Sequence, residues 1–317
     1  MNDSIKINTV LGPISPNEMG KTLMHEHIVF GFGGWYANDT LTPFDRDACI
    51  KKTLSVAEKL KTFGVNTVID ATPNDCGRNV EILREVSEKS GLHIICSTGL
   101  YSESDGAPGY FKFRQMFEGN AVEEIYELFM NEIENGIGGT GIKAGVLKVA
   151  TGDGVITDYE EIALKAAVKA HKETGIPIIT HTGGAATMGI EQTDLLLSEG
   201  ADPERVAIGH ISGSSDIGYH LAILNKGVFI AFDRLGLPGF TSEEGSLACI
   251  LGLIGIGKQD RIMISHDNIW FFLGENALDP NPAHIFESVI PRLKKAGITD
   301  GMIDTIMIDN VRHLFGG

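Results

Sequence analysis

Along almost its whole length the chain alternates short β-branched, apolar runs with longer amphipathic ones, the pattern of repeated βα units around a parallel sheet. Eight such units can be counted. Their strand candidates are Thr22 to Phe30, Thr67 to Pro73, His93 to Thr98, Ala144 to Thr151, Pro177 to Gly183, Val206 to Ser212, Val228 to Arg234 and Arg261 to Asp267. A helix-length segment follows each. Between Asp45 and Phe63, apolar Ile50, Leu54, Ala57 and Leu60 recur at helical spacing and Gly64 stops the run; Asp158 to Thr174 repeats the design, with Gly175 as its stop. Gly12-Pro13 and Pro16-Asn17 mark turns within Ile5 to Gly20, a small β-hairpin ahead of the first unit, and Met302 to Phe315 reads as a terminal helix. No Pro/Ser-rich linker breaks the rhythm, and the glycines, 39 of 317 residues, gather in the connections, which favours one domain over residues 1–317. The expected fold is α/β: a (β/α)8 TIM barrel with a short N-terminal β-hairpin and an extra C-terminal helix. A doubly wound open sheet would give much the same local pattern.

Charge and cysteine usage narrow the partners. With 26 basic and 42 acidic residues the formal charge is −16, which argues against a nucleic acid, because phosphate backbones reward clustered Lys and Arg. Met1-Asn2-Asp3-Ser4-Ile5-Lys6 lacks a basic segment leading into an apolar one, and the longest apolar-rich stretch, Ala248 to Gly257, is too short to span a bilayer. No membrane association is expected. Cys49, Cys76, Cys96 and Cys249 are scattered, without thiolate-site spacing or the density of a disulfide framework, so a reducing cytoplasm fits best.

The placement of polar residues decides between barrel and open sheet. In a parallel barrel, chemistry collects where the strands end, so a polar residue closing an apolar strand is informative. His25 and His27, two residues apart, share a strand face and can grip one ion, or they can form a hydrogen-bonded pair in the core. Lys148 lies in Ala144-Gly145-Val146-Leu147-Lys148-Val149-Ala150, where burial favours the neutral, nucleophilic amine. Such an amine can form a Schiff base, or add carbon dioxide to give a carbamate that bridges two metals; a lysine snorkelling to the rim is the plainer alternative. His181 and His210 each close another strand, and Asp267 closes the eighth, where a carboxylate can both ligate a metal and accept a proton from a bridging water. Histidine, carboxylate and carbamate suit zinc, manganese, iron or cobalt. Each residue alone has a structural alternative, but the ordered set of six points to a two-metal hydrolase.

The chain resembles the phosphotriesterase family of the amidohydrolase superfamily over nearly its full length. The resemblance rests on Met24-His25-Glu26-His27, on Gly139-Thr140-Gly141-Ile142-Lys143-Ala144-Gly145-Val146-Leu147-Lys148 and on Thr180-His181-Thr182. Gly189-Ile190-Glu191-Gln192, Ile208-Gly209-His210 and Ser265-His266-Asp267 add to it. It implies that His25, His27 and Asp267 hold one ion and that His181 and His210 hold the other, with Lys148 as N6-carboxylysine and a hydroxide bridging them. Two divalent transition metal ions follow, zinc foremost, with cobalt, manganese or iron as alternatives. A homodimer is implied as well.

The resemblance also bears on substrate. Family members with a lactonase habit carry a tyrosine after the third strand and an arginine after the seventh, and Tyr101 and Arg234 stand there. A rim aromatic for Tyr101, and a structural partner of Asp233 for Arg234, are the simpler alternatives. The chain departs from the lactonase pattern in Ile211-Ser212-Gly213 after His210, in Leu235 after Arg234, and in a shorter loop from Asn268 to Gly274. In that loop Trp270, Phe271 and Phe272 would line an apolar leaving-group pocket or pack onto another subunit. The expected activity is metal-dependent lactone opening with side activity on aryl esters or phosphotriesters, with Asp267, Lys148, Tyr101 and Arg234 as the catalytic set. A dedicated phosphotriesterase or carboxylic ester hydrolase is the alternative on the same centre. A third reading is a barrel that uses Lys148 for Schiff-base chemistry or merely binds a small molecule.

Overall fold

The computed structural model describes residues 5–183, 187–237, 242–274 and 281–317; Met1–Ser4, part of the N-terminal segment considered above, lie outside the described residues. Strands β1 (Ile7–Thr9) and β2 (Gly12–Ile14) form the expected antiparallel hairpin. Eight parallel strands follow: β3 (Lys21–Phe30), β4 (Val65–Asp70), β5 (His93–Gly99), β6 (Val146–Ala150), β7 (Ile178–His181), β8 (Val206–Ile208), β9 (Phe229–Phe232) and β10 (Ile262–Ile264). Each pairs with the next in chain order, the topology of a (β/α)8 barrel. The late strands stop short of the sequence expectation. β8 ends at Ile208 and β10 at Ile264, so His210 and Asp267 leave the ladder before they reach the mouth.

Helices α1 (Arg46–Lys61), α2 (Val80–Ser90), α3 (Gly109–Glu118), α4 (Ala121–Glu134), α5 (Asp158–Thr174), α6 (Gly189–Ser198), α7 (Ile217–Leu224) and α8 (Glu243–Gly255) connect the strands. Local chemistry sets their ends. The Asp45 carboxylate accepts from Ala48 N at the start of α1, and Thr157 and Glu160 form a capping box at the start of α5, which Gly175 closes at φ 72°. A continuous helical stretch from Asp300 to Leu314 matches the expected terminal helix.

The core has three parts. Between sheet and helices lies a large apolar layer that includes Leu23, Ile28, Phe129 and Leu253. Inside the barrel, Ile69, Ile95, Val146, Ile179, Phe229 and Met263 form a second cluster. The hairpin (Ile7, Ile14) and the terminal helix (Val311, Leu314, Phe315) close it from below. A third, small cluster of Phe30, Cys76, Tyr101 and Ala150 lies at the mouth.

Two features of β3 position the site. Its register slips between Leu23 and Glu26, which lets Met24 pack in the barrel interior while His25 and His27 still converge on the mouth. The seam between β3 and β10 is closed by local bonds, since among the described residues no ladder joins these two strands. Asp267 N donates to His25 O (3.1 Å) and His27 N to Asn268 O (2.9 Å). Buried Glu26 accepts from Ser265 Oγ (2.7 Å), His266 N (3.0 Å) and Trp270 Nε1 (3.4 Å). Beyond the seam the expected loop becomes a strand: β11 (Ile269–Phe272) pairs in parallel with β3.

Candidate metal centre

The six candidate ligands converge, although only His181 ends its strand: His25, His27 and Lys148 lie within β3 and β6, and His210 and Asp267 just beyond β8 and β10. His27 Nε2 is 3.1 Å and His25 Nε2 3.6 Å from Asp267 Oδ1, and the other carboxylate oxygen, Oδ2, lies 3.8 Å from His210 Nε2. His210 Nε2 is 2.8 Å from His181 Nδ1, and Lys148 Nζ is 2.6 Å from His25 Nε2. Lys148 is fully buried, so it does not snorkel to the rim.

Backbone geometry is spent on this arrangement. His210 (φ 57°) and Asp267 (φ 55°) are the only non-glycine residues in the left-handed region among those described, and both are members of the set. A side chain there costs about 1–3 kcal/mol and persists when its surroundings enforce it. Gly99 at the end of β5 lies so close to the strand of Lys148 that a Cβ would fall 1.7 Å from Lys148 O. The lysine's wall therefore admits no side chain at position 99.

Burial tunes the protonation states toward ligation. Desolvation, with the nearby cationic side chains, lowers His25, His181 and His210, the last to about 3, so all three present neutral imidazoles. Burial likewise lowers Lys148 to about 8, which brings the neutral amine within reach of ordinary pH. Asp267 runs the other way: burial would raise it, but His210, His27 and Arg234 hold it well below the usual carboxylate range. Burial keeps the Tyr101 phenol protonated.

Nitrogen and carboxylate donors at these separations form a set that fits borderline divalent cations. His25, His27 and Asp267 form one such cluster, and His25, His210 and Asp233 lie equally close together. The second grouping has a different origin. Asp233 Oδ1 accepts from His210 N (2.8 Å) and lies 2.9 Å from His210 Nδ1, while Oδ2 is 2.7 Å from His25 Nδ1. These are hydrogen-bond lengths on the far side of both rings, and the carboxylate orients the ligands from behind. His27 has its own support, with Nδ1 2.9 Å from Thr72 Oγ1, which in turn donates to Asp70 Oδ1 (3.0 Å).

The mouth residues divide. Tyr101 OH is 3.3 Å from His181 Nδ1, and Arg234 Nε donates to Asp267 Oδ2 at 2.9 Å. Arg234 thus engages Asp267, while both Asp233 oxygens face histidines. Of the aromatic trio, Phe272 alone packs at the mouth, against Phe30 and Phe32 with ring centroids 6.2 and 5.9 Å apart. Trp270 is buried in the layer beneath the helices, with Nε1 donating to Glu26, and Phe271 packs against that layer beside Phe44, on the opposite strand face from its neighbour Phe272. Neither forms part of the expected pocket. Sequence reasoning missed Asp233, Phe30 and Phe32. The strand-end rule could have found Asp233, which follows the apolar run Phe229–Phe232.

Comparison with known proteins agrees with this geometry. Residues 5–315 match the model of the phosphotriesterase family. The chain belongs to that family. It is similar to an aryldialkylphosphatase of Saccharolobus solfataricus, 34% identical over 95% of this chain and 96% of the relative. Among solved structures, an organophosphorus hydrolase from Deinococcus radiodurans superposes with a TM-score of 0.95 at 43% identity, covering 100% of this chain and 98% of that one. A variant of a PTE-like lactonase from the same organism gives 0.93 at 43% identity, covering 98% of this chain and 100% of the other. As a member of the phosphotriesterase family, the protein is a hydrolase acting on ester bonds, and the expected barrel and family are both found.

Proposed function

We propose that the protein opens lactones at a binuclear metal centre, with side activity on aryl esters and phosphotriesters. The observation that carries this reading is a fully buried lysine whose Nζ lies 2.6 Å from a histidine within a ring of three further histidines and an ionised carboxylate. His25, His27 and Asp267 would hold one divalent cation, zinc foremost, and His181 and His210 the other. The neutral Lys148 amine would add carbon dioxide and release a proton, giving a carbamate shared between the sites. When bound, the cations lower the pKa of a shared water and polarise the substrate's carbonyl or phosphoryl oxygen.

The remaining steps belong to side chains. Asp267 accepts the proton of the attacking water at Oδ2, where Arg234 Nε fixes the carboxylate's orientation. The protonated Tyr101 phenol donates to the substrate's ester oxygen, and Phe30, Phe32 and Phe272 exclude water around its apolar part. Tyr101 and Arg234, together with the similarity to a PTE-like lactonase, favour a lactone over a triester. The Schiff-base reading is disfavoured by His25, whose Nε2 lies 2.6 Å from Lys148 Nζ.

Metal analysis with a substrate panel tests the proposal. About two equivalents of transition metal, activity lost to chelator, and lactones hydrolysed faster than aryl esters or paraoxon-like triesters are expected. Faster triester turnover would transfer the assignment to the alternative, and borohydride trapping on Lys148 without metal would end it. Two further parts of the reading have their own support. A homodimer is favoured by α3, which buries none of its residues and exposes Phe113, Met116 and Phe117. A reducing cytoplasm accords with four free, buried cysteines. No helix among the described residues is long and apolar enough to cross a membrane.

A further inference from the structure

We infer that Asp233 is a positioning residue that couples the two cation sites, and this rests on the binuclear reading above. It is fully buried and divides its two oxygens between one histidine of each proposed site. Oδ1 takes the backbone N and ring Nδ1 of His210, at 2.8 and 2.9 Å, and Oδ2 faces His25 Nδ1 at 2.7 Å. The approach to His25 is too oblique for a formed hydrogen bond, so His25 Nδ1 and Asp233 Oδ2 are two buried polar atoms that face each other and have no other polar partner among the described residues. Space for the carboxylate is reserved by Gly209, where a Cβ would lie 3.0 Å from Asp233 Oδ2 and 2.1 Å from Thr180 O.

A carboxylate that accepts from His210 with one oxygen and faces His25 Nδ1 with the other sets both tautomers at once. With a proton on Nδ1 of each ring, both Nε2 atoms turn their lone pairs toward Asp267 and Lys148. His27 stands outside this arrangement, because Thr72 serves it alone. One side chain therefore decides whether His25 and His210 can act as ligands.

Asp233→Asn makes the inference sharp. The His210 backbone N–H requires an acceptor, so the Asn oxygen stays with His210 and its NH2 group turns to His25. His25 must then accept at Nδ1 and carry its proton on Nε2, the atom needed for the cation. Zinc titration of chelator-stripped protein against a chromogenic chelator should find two tight equivalents in the wild type. In Asp233→Asn one equivalent should persist and the other weaken about 10- to 100-fold, the usual cost of losing such a partner. Asp233→Ala should weaken both. Wild-type affinity for both equivalents in Asp233→Asn overturns the coupling while leaving the binuclear reading intact. Fewer than two equivalents in the wild type overturns both.

A second measurement needs no variant. Nitrogen-15 histidine spectra of metal-free wild-type protein should show His25 and His210 protonated on Nδ1, and a proton on Nε2 of either ring would refute the assignment.

Discussion

The two ends of the barrel obey opposite rules. The lower interior is filled by apolar side chains from successive strands, sealed by the hairpin and the terminal helix, and among the described residues it holds no non-glycine residue in the left-handed region. The mouth holds a lysine, four histidines and two aspartates within a few ångströms, with two residues in left-handed backbone. Close-packed apolar volume stabilises the first. Burial of ionisable groups tunes the second, and much of its cost is borne by the packing below. Stability and chemistry are thus separated along the barrel axis, and substitutions at the two ends should have different signatures.

The largest effect is expected from Lys148→Ala, with activity falling on the order of a thousandfold or more as the charged scaffold of the centre is lost. Partial recovery with a short carboxylic acid is expected, and a variant that keeps its metal and rate unaided would refute the shared carbamate. Phe229→Ala, at the lower end, should cost about 3–5 kcal/mol in denaturant melts while leaving turnover per bound metal unchanged. If turnover fell as well, the two ends would not be independent.

Asp70 tests the boundary between them. Burial raises its carboxyl to about 7, only partly offset by hydrogen bonds from Ile28 N and Thr72. Because the folded value lies above the ordinary one, its contribution is fully present below about pH 4 and lost as pH rises through 7. Asp70→Asn should flatten that decline, so metal-free melting temperatures of variant and wild type ought to separate between pH 5 and pH 8. Parallel curves would show that Asp70 titrates normally. The smallest effect is expected from Phe32→Ala, which should change preference between apolar and polar esters within about tenfold and leave melting almost untouched.

Much of this division was legible in the sequence, and the reason is local. A His, Lys or Asp set in or just after a short apolar run marks a strand that carries chemistry, so all six candidate ligands could be named even though only His181 ends its strand. Helix α5 could be bounded because Thr157, Glu160 and Gly175 are cap signals within one segment. What stayed hidden depends on register across the chain. Asp233 looked like a neighbour's partner because only the closed barrel brings β3 and the end of β8 to either side of its carboxylate. Phe271 and Phe272 looked alike until β11 formed and turned these neighbours to opposite faces. Phe30 and Phe32 are ordinary apolar residues whose position at the mouth follows from the length of β3.

The Glu26 seam carries one more consequence. The staves on either side of it contribute ligands to the same proposed ion, His25 and His27 from one and Asp267 from the other, so a bound cation would be a clasp across the barrel's only unladdered joint among the described residues. Chelation would release the clasp and leave Glu26 as the hinge pin. Amide exchange should then quicken first at Asp267 and His27, so that loss of catalysis and the first parting of the wall become a single event.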